Sequence, residues 1–549
     1  MKPFIYVKLD HNNNILEEEH GFTGKFINDE IYYENDDVMI IQKGVILNSR
    51  DIINRYKSIT NYIVENINNE NYSFFNDYRG NFCGVIIEKK KSLAIAYTDH
   101  FGSEPLYYYK LPEGEMIISS SVIEICRRTD NANIILNKEG AYELLTYAYM
   151  LEDHTLFKGI HRIIPGSCIR IENSSVNCNF YHVIDNTEHE IDETDALRKI
   201  DELFLKAVDL QAKKNKEYGY QNFTPISAGL DSRMTCYALK RLGYSDVITF
   251  TYSQIGELDF SIPSQIAASL GYNWIFKSLD NGLDLMDINE SIELADCCIY
   301  YPWPSQLNGF LKMIEKKNMG VVNTGVIGDV VIGSFYRDTS KRFYQLGDGA
   351  YSTKLLGKLM AMSSIENNQD YEIGMIYNRG LNGANMGYLT SFIQYGQACS
   401  PFMNVDLFDF CMTIPKKMRV GHKLYYKWVL EYYPDAAKFS HNGLRIRKSR
   451  RYVKIKGKEY PVNGIIDRAV TVGKNRIGIT KGMNPLDDWY NNNSELKQSL
   501  DNYFLNSLDH IEDMELQKDT AYLYNNGNAL EKTLCISLAG SLKAIKKEK

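Results

Sequence analysis

The apolar residues of the first 185 positions fall into short runs between polar turns, and few stretches there have helical spacing. Residues 38–41 are one such run. Residues 82–88 and 93–97 are two more, separated by Lys89-Lys90-Lys91, a charged turn that indicates a β-hairpin. We therefore expect residues 1–185 to form a β-rich domain of several paired strands.

After a polar, acidic linker at residues 186–195, the period of the apolar positions changes. Residues 193–211 have helical spacing, and we expect their apolar face to pack in a core. From residue 221 onwards, strands alternate with helices. The predicted strands are a segment ending at Ser227 and residues 247–252, 273–279 and 320–324, and the predicted helices are residues 234–242, 262–270 and 285–295. This alternation predicts a parallel sheet covered by helices, with ligands bound at the carboxyl ends of its strands.

The C-terminal part is predicted to be largely helical. Residues 445–458 hold eight Lys or Arg, but apolar residues are interleaved with them. This favours a folded hairpin with one solvated basic face over a nucleic-acid site.

Composition narrows the class of protein. The chain has 549 residues, 44% of them hydrophobic and 24% charged, as in a globular protein, and its formal net charge of −7 gives no general attraction to nucleic acid. No apolar run is long enough to span a membrane, and the start Met1-Lys2-Pro3 does not resemble a secretory leader. The ten cysteines contain no Cys-x-x-Cys pair. We expect a cytoplasmic protein with mostly buried thiols, and neither nucleic acid nor membrane as partner.

The junction at residues 223–233 carries the clearest candidate chemistry. An apolar strand ends at Ser227, small residues follow, and Asp231 and Ser232 open a helix. Free N–H groups at such a helix start, approached closely through Gly229, suit a phosphate group. Asp231 alone would repel phosphate, so we expect it to hold a bridging Mg²⁺ ion. An ordinary N-capped helix after a strand is the alternative.

The same junction resembles the pyrophosphate loop Ser-Gly-Gly-Leu-Asp-Ser of the asparagine synthetase family, with Ala228 in place of the first glycine. The stretch from Gly325 to Gly333 resembles that family's second loop, in which Asp329 matches an aspartate that binds magnesium pyrophosphate. Val326 stands where the family has a glutamate. Residues 421–430 resemble the helix that carries a phosphate-facing lysine, which we assign to Lys427.

The resemblance implies a set of site residues. Those for ATP and pyrophosphate are Ile226, Ser227, Ala228, Gly229, Leu230, Asp231, Ser232, Tyr252, Thr324 and Gly325. Asp231 and Asp329 would hold Mg²⁺, and Lys427 and Asp231 would be catalytic. ATP and Mg²⁺ are the implied cofactors. Because Val326 cannot accept a proton, we expect Tyr425, with its pKa lowered by Lys427, or Glu257 to act as the base in its place.

The N-terminal part resembles class-II glutamine amidotransferase domains through residues 78–85 and 98–109. The residues of glutamine hydrolysis are missing. Lys2 replaces the nucleophilic cysteine, Lys43 replaces the oxyanion-hole asparagine, and Ile59-Thr60-Asn61 replaces the segment that grips glutamine. Asp99 matches a family position in a structural turn. We therefore expect this domain to keep the fold without hydrolysing glutamine.

The predicted fold class is α/β. Residues 1–185 would form an Ntn-hydrolase-like α+β sandwich, and residues 186–549 a doubly wound parallel-sheet ATP-pyrophosphatase domain with a helical C-terminal part. The implied function is an AMP-forming ligase that joins the carboxylate of a small molecule, sugar acid or peptide to ammonia or a substrate amine, with a homodimer as a further expectation. An inactive scaffold or regulatory subunit is the alternative, motivated by Val326 and the missing cysteine.

Overall fold

A computed structural model describes residues 3–336, 340–363, 365, 369–441, 446, 452–455, 458–461 and 482–546. Two antiparallel sheets form the framework of its first 180 residues. The strands are β1 Ile5–Leu9, β2 Ile15–His20, β3 Ile31–Glu34, β4 Val38–Ile46, β5 Gly80–Glu88, β6 Leu93–Thr98, β7 Tyr107–Lys110, β8 Met116–Ser119, β9 Ile160–Arg162, β10 Ser167–Glu172 and β11 Ser175–Phe180. One sheet has the order β2-β1-β8-β7-β9 and the other β11-β10-β6-β5-β4-β3.

Helices pack against the sheets and form most of the C-terminal part. In chain order they are α1 Ser49–Tyr56, α2 Ile59–Asn68, α3 Val122–Arg128, α4 Lys138–Tyr147, α5 Glu193–Tyr218, α6 Asp231–Arg241, α7 Leu258–Leu270, α8 Ile288–Ala295, α9 Pro302–Leu311, α10 Leu356–Met360, α11 Tyr371–Met375, α12 Met386–Phe392, α13 Val405–Thr413, α14 Lys416–Arg419, α15 Lys423–Tyr432, α16 Leu486–Asn492, α17 Ser494–Ser507, α18 Met514–Asn526 and α19 Ala529–Ala544. None of the helices in the described ranges is long and apolar enough to cross a membrane.

The two antiparallel sheets pack face to face, and we call this unit the N-terminal sandwich. Val7, Ile41 and Val85 belong to a core that draws on both sheets. All nine residues of β4 are buried, because its other face is covered by α1 and α2. The predicted hairpin is confirmed, with Glu88 opposite Leu93.

A five-stranded parallel sheet follows, in the order β14-β13-β12-β15-β16. Its strands are β12 Gln221–Pro225, β13 Val247–Ser253, β14 Asn273–Ser278, β15 Met319–Asn323 and β16 Gln397–Cys399. The sequence predicted the first four of these strands and the helices between them. The order reverses on the two sides of β12, so β12 and β15 flank a topological switch point, where open α/β sheets bind ligands.

The observed helices differ in their bounds from the apolar patterns. Asp231 opens α6, as the junction predicted, three residues before the pattern that starts at residue 234. α5 extends past residue 211 to Tyr218, and α7 begins at Leu258 rather than at residue 262. The predicted helix at residues 285–295 is a 3-10 segment, Asp280–Met286, followed by α8. β17 Tyr452–Ile455 and β18 Lys458–Pro461 pair as the predicted hairpin, while its basic face lies outside the described residues.

Buried polar contacts join the N-terminal sandwich to the parallel-sheet part. Asn81 Nδ2 donates to the carbonyl of Ala398 on the edge strand β16 at 2.8 Å. On the other side, Lys214 Nζ of α5 lies 2.7 Å from the Asp29 carboxylate, with both side chains fully buried. The ten cysteines are free thiols, and of these Cys178 is the exposed one, so the expectation of mostly buried thiols is confirmed.

Candidate functional site

A cavity of about 640 Å³ opens at the carboxyl ends of β12, β13 and β15. Its walls are the loop after β12, the loop after β15, the end of β13, parts of α7, α12 and α15, and Ala384 of the π-helix Ile376–Asn385. The lining side chains with polar or charged groups are Ser227, Asp231, Ser232, Thr251, Tyr252, Asp259, Thr324, Asp329, Tyr388, His422, Tyr425, Tyr426 and His441. The cavity therefore lies where the strand order predicts a ligand.

The loop between β12 and α6 is held by its own serines. Ser232 Oγ accepts a hydrogen bond from the Ser227 N–H at 3.1 Å, and Ser227 Oγ accepts one from the Gly229 N–H at 3.1 Å. The loop after β15 packs directly against it. A Cβ atom at Gly325 would lie 2.4 Å from the backbone of Asp231 and Ser232, so only glycine allows this approach.

Asp231 and Asp329 bring two carboxylates into the same cavity. Burial raises the pKa of Asp231 well above its ordinary value, and the nearby charge of Asp329 adds to the shift. The Tyr425 hydroxyl donates to Asp231 Oδ1 at 2.7 Å and partly offsets it. A carboxylate whose charge is disfavoured by burial and by a second carboxylate nearby is suited to bind a divalent cation together with that neighbour.

The backbone that carries Asp329 is fixed from α15. Asp329–Gly333 is a π-helical turn, and His422 Nδ1 lies 2.9 Å from the Asp329 carbonyl. Because a carbonyl only accepts, Nδ1 carries the hydrogen. A Cβ at Gly333 would lie 2.3 Å from His422 Nδ1, so the turn and the ring are packed tightly.

Most of the residues predicted from the sequence line this cavity together. They are Ile226, Ser227, Gly229, Leu230, Asp231, Ser232, Tyr252, Thr324, Gly325 and Asp329. Ala228 belongs to the same loop but is not part of the lining. Its N–H donates to Asp259 Oδ1 at 2.8 Å, and its carbonyl accepts from Arg233 Nη2 at 2.9 Å.

The assignment of Lys427 as the phosphate-facing lysine is corrected. Its Nζ contacts the carboxylate of Glu193 at the start of α5, and its side chain is half exposed. On α15, Tyr425 and Tyr426 face the cavity, while Trp428 and Val429 lie in the core. Lys427 therefore lies on the outer side of the helix and does not reach the cavity.

The expected properties of Tyr425 are also corrected. Burial, followed by the charge of Asp231, raises the pKa of Tyr425 well above its ordinary value of 10. Lys427 is turned outwards, and the nearby charge of Arg233 lowers this pKa only in part, so Tyr425 serves as a hydrogen-bond donor to Asp231 rather than as the expected base. Glu257 precedes α7 and is not among the residues lining the cavity, whereas Asp259, two positions later, is.

Sequence reasoning missed Asp259 and the structural role of Arg233. Asp259 follows the end of β13 much as Asp231 follows β12, and this spacing was the available signal. Arg233 is fully buried, and its guanidinium donates to the carbonyls of Ala228, Ala436 and Ser440. Arg233 thereby holds the loop between β12 and α6, which we call the serine loop, against the segment after α15. No sequence pattern indicated this role.

In the N-terminal sandwich, Asp99 organises a turn and Lys43 forms an ion pair. From the sequence, both positions were compared with those of glutamine amidotransferase domains. Asp99 is buried and accepts hydrogen bonds from the N–H groups of Phe101, Ser103 and Glu104, so it does organise a turn. Lys43 is buried, and its Nζ lies 2.7 Å from Glu104 Oε2. The expectation for Lys2 lies outside the described residues.

Comparison with known proteins defines the class of this N-terminal part. Residues 29–182 match the family of glutamine amidotransferase domains. A curated relative is the protein named Amidase chyE of Penicillium rubens, which is 28% identical over 103 residues. The match covers 17% of this chain and 13% of the relative, so it concerns one segment of each protein.

Two solved structures overlap with the chain at low similarity. A glutamine phosphoribosylpyrophosphate amidotransferase from B. subtilis has 10% identity and a TM-score of 0.23, covering 51% of this chain and 85% of its own. A structure titled as the allosteric regulatory enzyme of purine biosynthesis has 9% identity and a TM-score of 0.23, covering 50% of this chain and 74% of its own. The family match thus identifies a glutamine amidotransferase-type domain at the N-terminus of this chain.

Proposed function

We propose that this protein is an ATP-dependent amidoligase. It would adenylate a substrate carboxylate, release pyrophosphate, and pass the acyl group to ammonia or a substrate amine. The single observation that supports this most is the presence of Asp231 and Asp329 in one cavity, on loops that follow the neighbouring parallel strands β12 and β15. The match of residues 29–182 to amidotransferase domains and the likeness to an amidase are consistent with amide chemistry.

The residues of the cavity fit the cofactors that the proposal requires. The raised pKa of Asp231 beside Asp329 marks a carboxylate pair whose charge a divalent cation would relieve. Asp231 and Asp329 would hold Mg²⁺, which when bound neutralises negative charge on phosphate oxygens. The residues of the serine loop would bind phosphate oxygens through hydroxyl and N–H groups, with α6 directly behind them.

The proposed nitrogen source is free ammonia or an amine on a substrate. The Lys43 ammonium is paired with Glu104 inside the sandwich, at the position where the resemblance puts an oxyanion-hole asparagine. An oxyanion hole needs donors that are already aimed at the developing charge, whereas this ammonium is directed at Glu104. Glutamine hydrolysis by this domain is therefore not part of the proposal.

An inactive scaffold is the second candidate, and Val326 favours it. Val326 lines the cavity at the position of the family glutamate, and it offers no group for proton transfer. Moreover, no Lys or Arg lines the cavity among the residues that the structure describes. A scaffold of this kind would keep the cavity without turning over ATP.

Nucleotide binding and pyrophosphate release together test the proposal. We expect Mg-ATP to raise the melting temperature of the wild-type protein, and Asp329→Asn to remove this effect. Asp246→Asn is the matched control, because Asp246 lies next to the amino end of β13, away from the cavity. Pyrophosphate release in the presence of candidate carboxylates would then establish adenylation. No Mg-ATP effect on the wild-type protein would contradict the amidoligase and leave the scaffold.

A further inference from the structure

One wall of the cavity is a π-helix that the N-terminal sandwich holds through polar side chains. Ile376–Asn385 forms this helix, and its Ala384 lines the cavity. Three of its asparagines, Asn378, Asn382 and Asn385, are buried. We call them the asparagine face. All three bond to groups that the N-terminal 185 residues supply.

Asn382 makes the central contacts. Its Oδ1 accepts a hydrogen bond from Arg162 Nη1 at 2.5 Å, and its Nδ2 donates to the carbonyls of Met150 and Glu152 at 3.3 and 3.1 Å. Arg162 Nη2 donates to the carbonyl of Gly102 at 2.7 Å. Arg162 is only 6% exposed, so its charge is compensated by these oxygen atoms inside the protein.

The other two members of the asparagine face bond on either side of Asn382. Asn378 Oδ1 accepts from the Glu152 N–H at 3.1 Å, and Asn385 Nδ2 donates to Ser103 Oγ at 3.2 Å. Between them, a Cβ at Gly383 would lie 2.6 Å from the ring of Tyr149, so the helix backbone lies directly on that ring.

The turn organised by Asp99 supplies part of this contact. Asp99 accepts hydrogen bonds from the N–H groups of Phe101 and Ser103. In the same turn, the Gly102 carbonyl accepts from Arg162, and the Ser103 hydroxyl oxygen accepts from Asn385. A turn of the amidotransferase-type domain thus supports the π-helix that lines the cavity of the parallel sheet. Its function here does not depend on glutamine chemistry.

A π-helix of this length needs support from outside. The π conformation is rare and appears mostly as single turns inside α-helices, frequently at functional sites. The buried side-chain bonds to Asn378, Asn382 and Asn385 provide such support. Without them, this segment would relax and Ala384 would move.

We propose that Arg162 and the asparagine face position the π-helical wall of the cavity, so that the N-terminal sandwich is a required part of the ligand site. As regards the ligand, this inference rests on the proposed function. Arg162 and Asn382 are positioning residues, because they act through the wall and touch no reacting group.

Hydrogen exchange and nucleotide affinity in one variant set test the inference. Asn382→Ala is expected to speed backbone exchange of residues 376–385 and to weaken Mg-ATP binding by about 2- to 30-fold. Asn13→Gly is the matched control. Asn13 also donates two carboxamide hydrogen bonds to buried carbonyls, of Ser92 and Ile171, within the sandwich, and glycine tolerates its positive φ of 61°. This control should leave both measurements unchanged.

A double-mutant cycle separates positioning from general destabilisation. Arg162→Met and Asn382→Leu should each weaken Mg-ATP binding, and the double variant should be less impaired than the sum of the two. Asn385→Ala, which loses one bond, serves if Asn382→Ala does not fold. If the wild-type protein does not bind Mg-ATP, the proposed function is wrong, and backbone hydrogen exchange of residues 376–385 alone tests the positioning role. Unchanged exchange at residues 376–385 in the folded variants would overturn the inference.

Discussion

At the scale of single residues, Tyr425 favours the ionised form of the carboxylate beside it, against the effects of burial and of Asp329. Its hydroxyl donates to Asp231 Oδ1 at 2.7 Å, and both its burial and the Asp231 charge keep the hydroxyl protonated. A neutral donor stabilises the ionised form of Asp231, which is the form that binds a cation. Tyr425 thus prepares Asp231 as a metal ligand.

We expect Tyr425→Phe to weaken Mg²⁺-dependent nucleotide binding while the protein stays folded, because the substitution removes one hydrogen bond worth about 1 kcal/mol. Titration of Mg²⁺ at fixed ATP measures the effect. Tyr432→Phe, at the end of the same helix and outside the cavity lining, should bind like the wild type. If activity is found, the shape of its pH profile should survive Tyr425→Phe, and loss of a plateau would show that the tyrosine is a base after all.

Lys43 carries a second prediction at this scale. Its ammonium is buried and paired with Glu104 Oε2, while Glu104 Oε1 accepts from Gln397 of β16. We expect the purified protein to release no glutamate from glutamine, and Lys43→Asn not to introduce this activity. Glutamate production above a control without protein would contradict the prediction. Lys43→Asn should instead lower stability, since it leaves a buried carboxylate without its cation.

The sequence predicted some of the residues of the candidate site and not others. The loops carrying Asp231 and Asp329 were predictable, because small residues after an apolar strand leave few alternatives. The orientation of Lys427 was not predictable, because the sequence alone does not show which side of α15 packs against the core. Arg233 and His422 bond to backbone carbonyls far away in the chain, and no local pattern encodes such contacts.

At the scale of elements, the loop after α4 is fastened by one ion pair. Glu143 of α4 is buried, and His154 Nδ1 lies 2.9 Å from its Oε1. Burial alone would lower the pKa of His154, but the hydrogen bond to Glu143 and the negative charges of Glu143, Glu139 and Asp153 together outweigh it and raise that pKa to about 9. The charged imidazole therefore holds the loop whose Met150 and Glu152 carbonyls contact the π-helix.

His154→Gln is expected to destabilise the protein by about 1–3 kcal/mol near pH 6. The pKa of His154 is higher in the folded than in the unfolded chain, so its contribution is complete below the unfolded value of about 6.5 and is lost as pH rises through 9. Denaturant midpoints of the two proteins should converge above that pH. His161→Gln is the control, since its pair with Asp153 is 40% exposed and should matter little.

At the scale of the whole molecule, a buried ion pair joins α5 to the N-terminal sandwich. Lys214 Nζ contacts Asp29 and Ser49 Oγ, and the Asp29 carboxylate also accepts from the Ile46 N–H of β4. Lys214→Met should destabilise the protein by about 3–5 kcal/mol, because Asp29 is left buried without its cation. Lys214→Met combined with Asp29→Asn should recover much of this loss in urea unfolding. Equal stability of Lys214→Met and wild type would contradict this account.

The contact of Asn81 with β16 bears on the order in which the protein is synthesised. An open strand edge invites pairing with other chains, and β16 forms one edge of the parallel sheet. Asn81, which donates to Ala398 there, precedes it by 317 residues in the chain. Because the chain is synthesised at about 5–20 residues per second, Asn81 leaves the ribosome well before β16 does. The growing chain can thus protect its last parallel strand with a surface that has already folded.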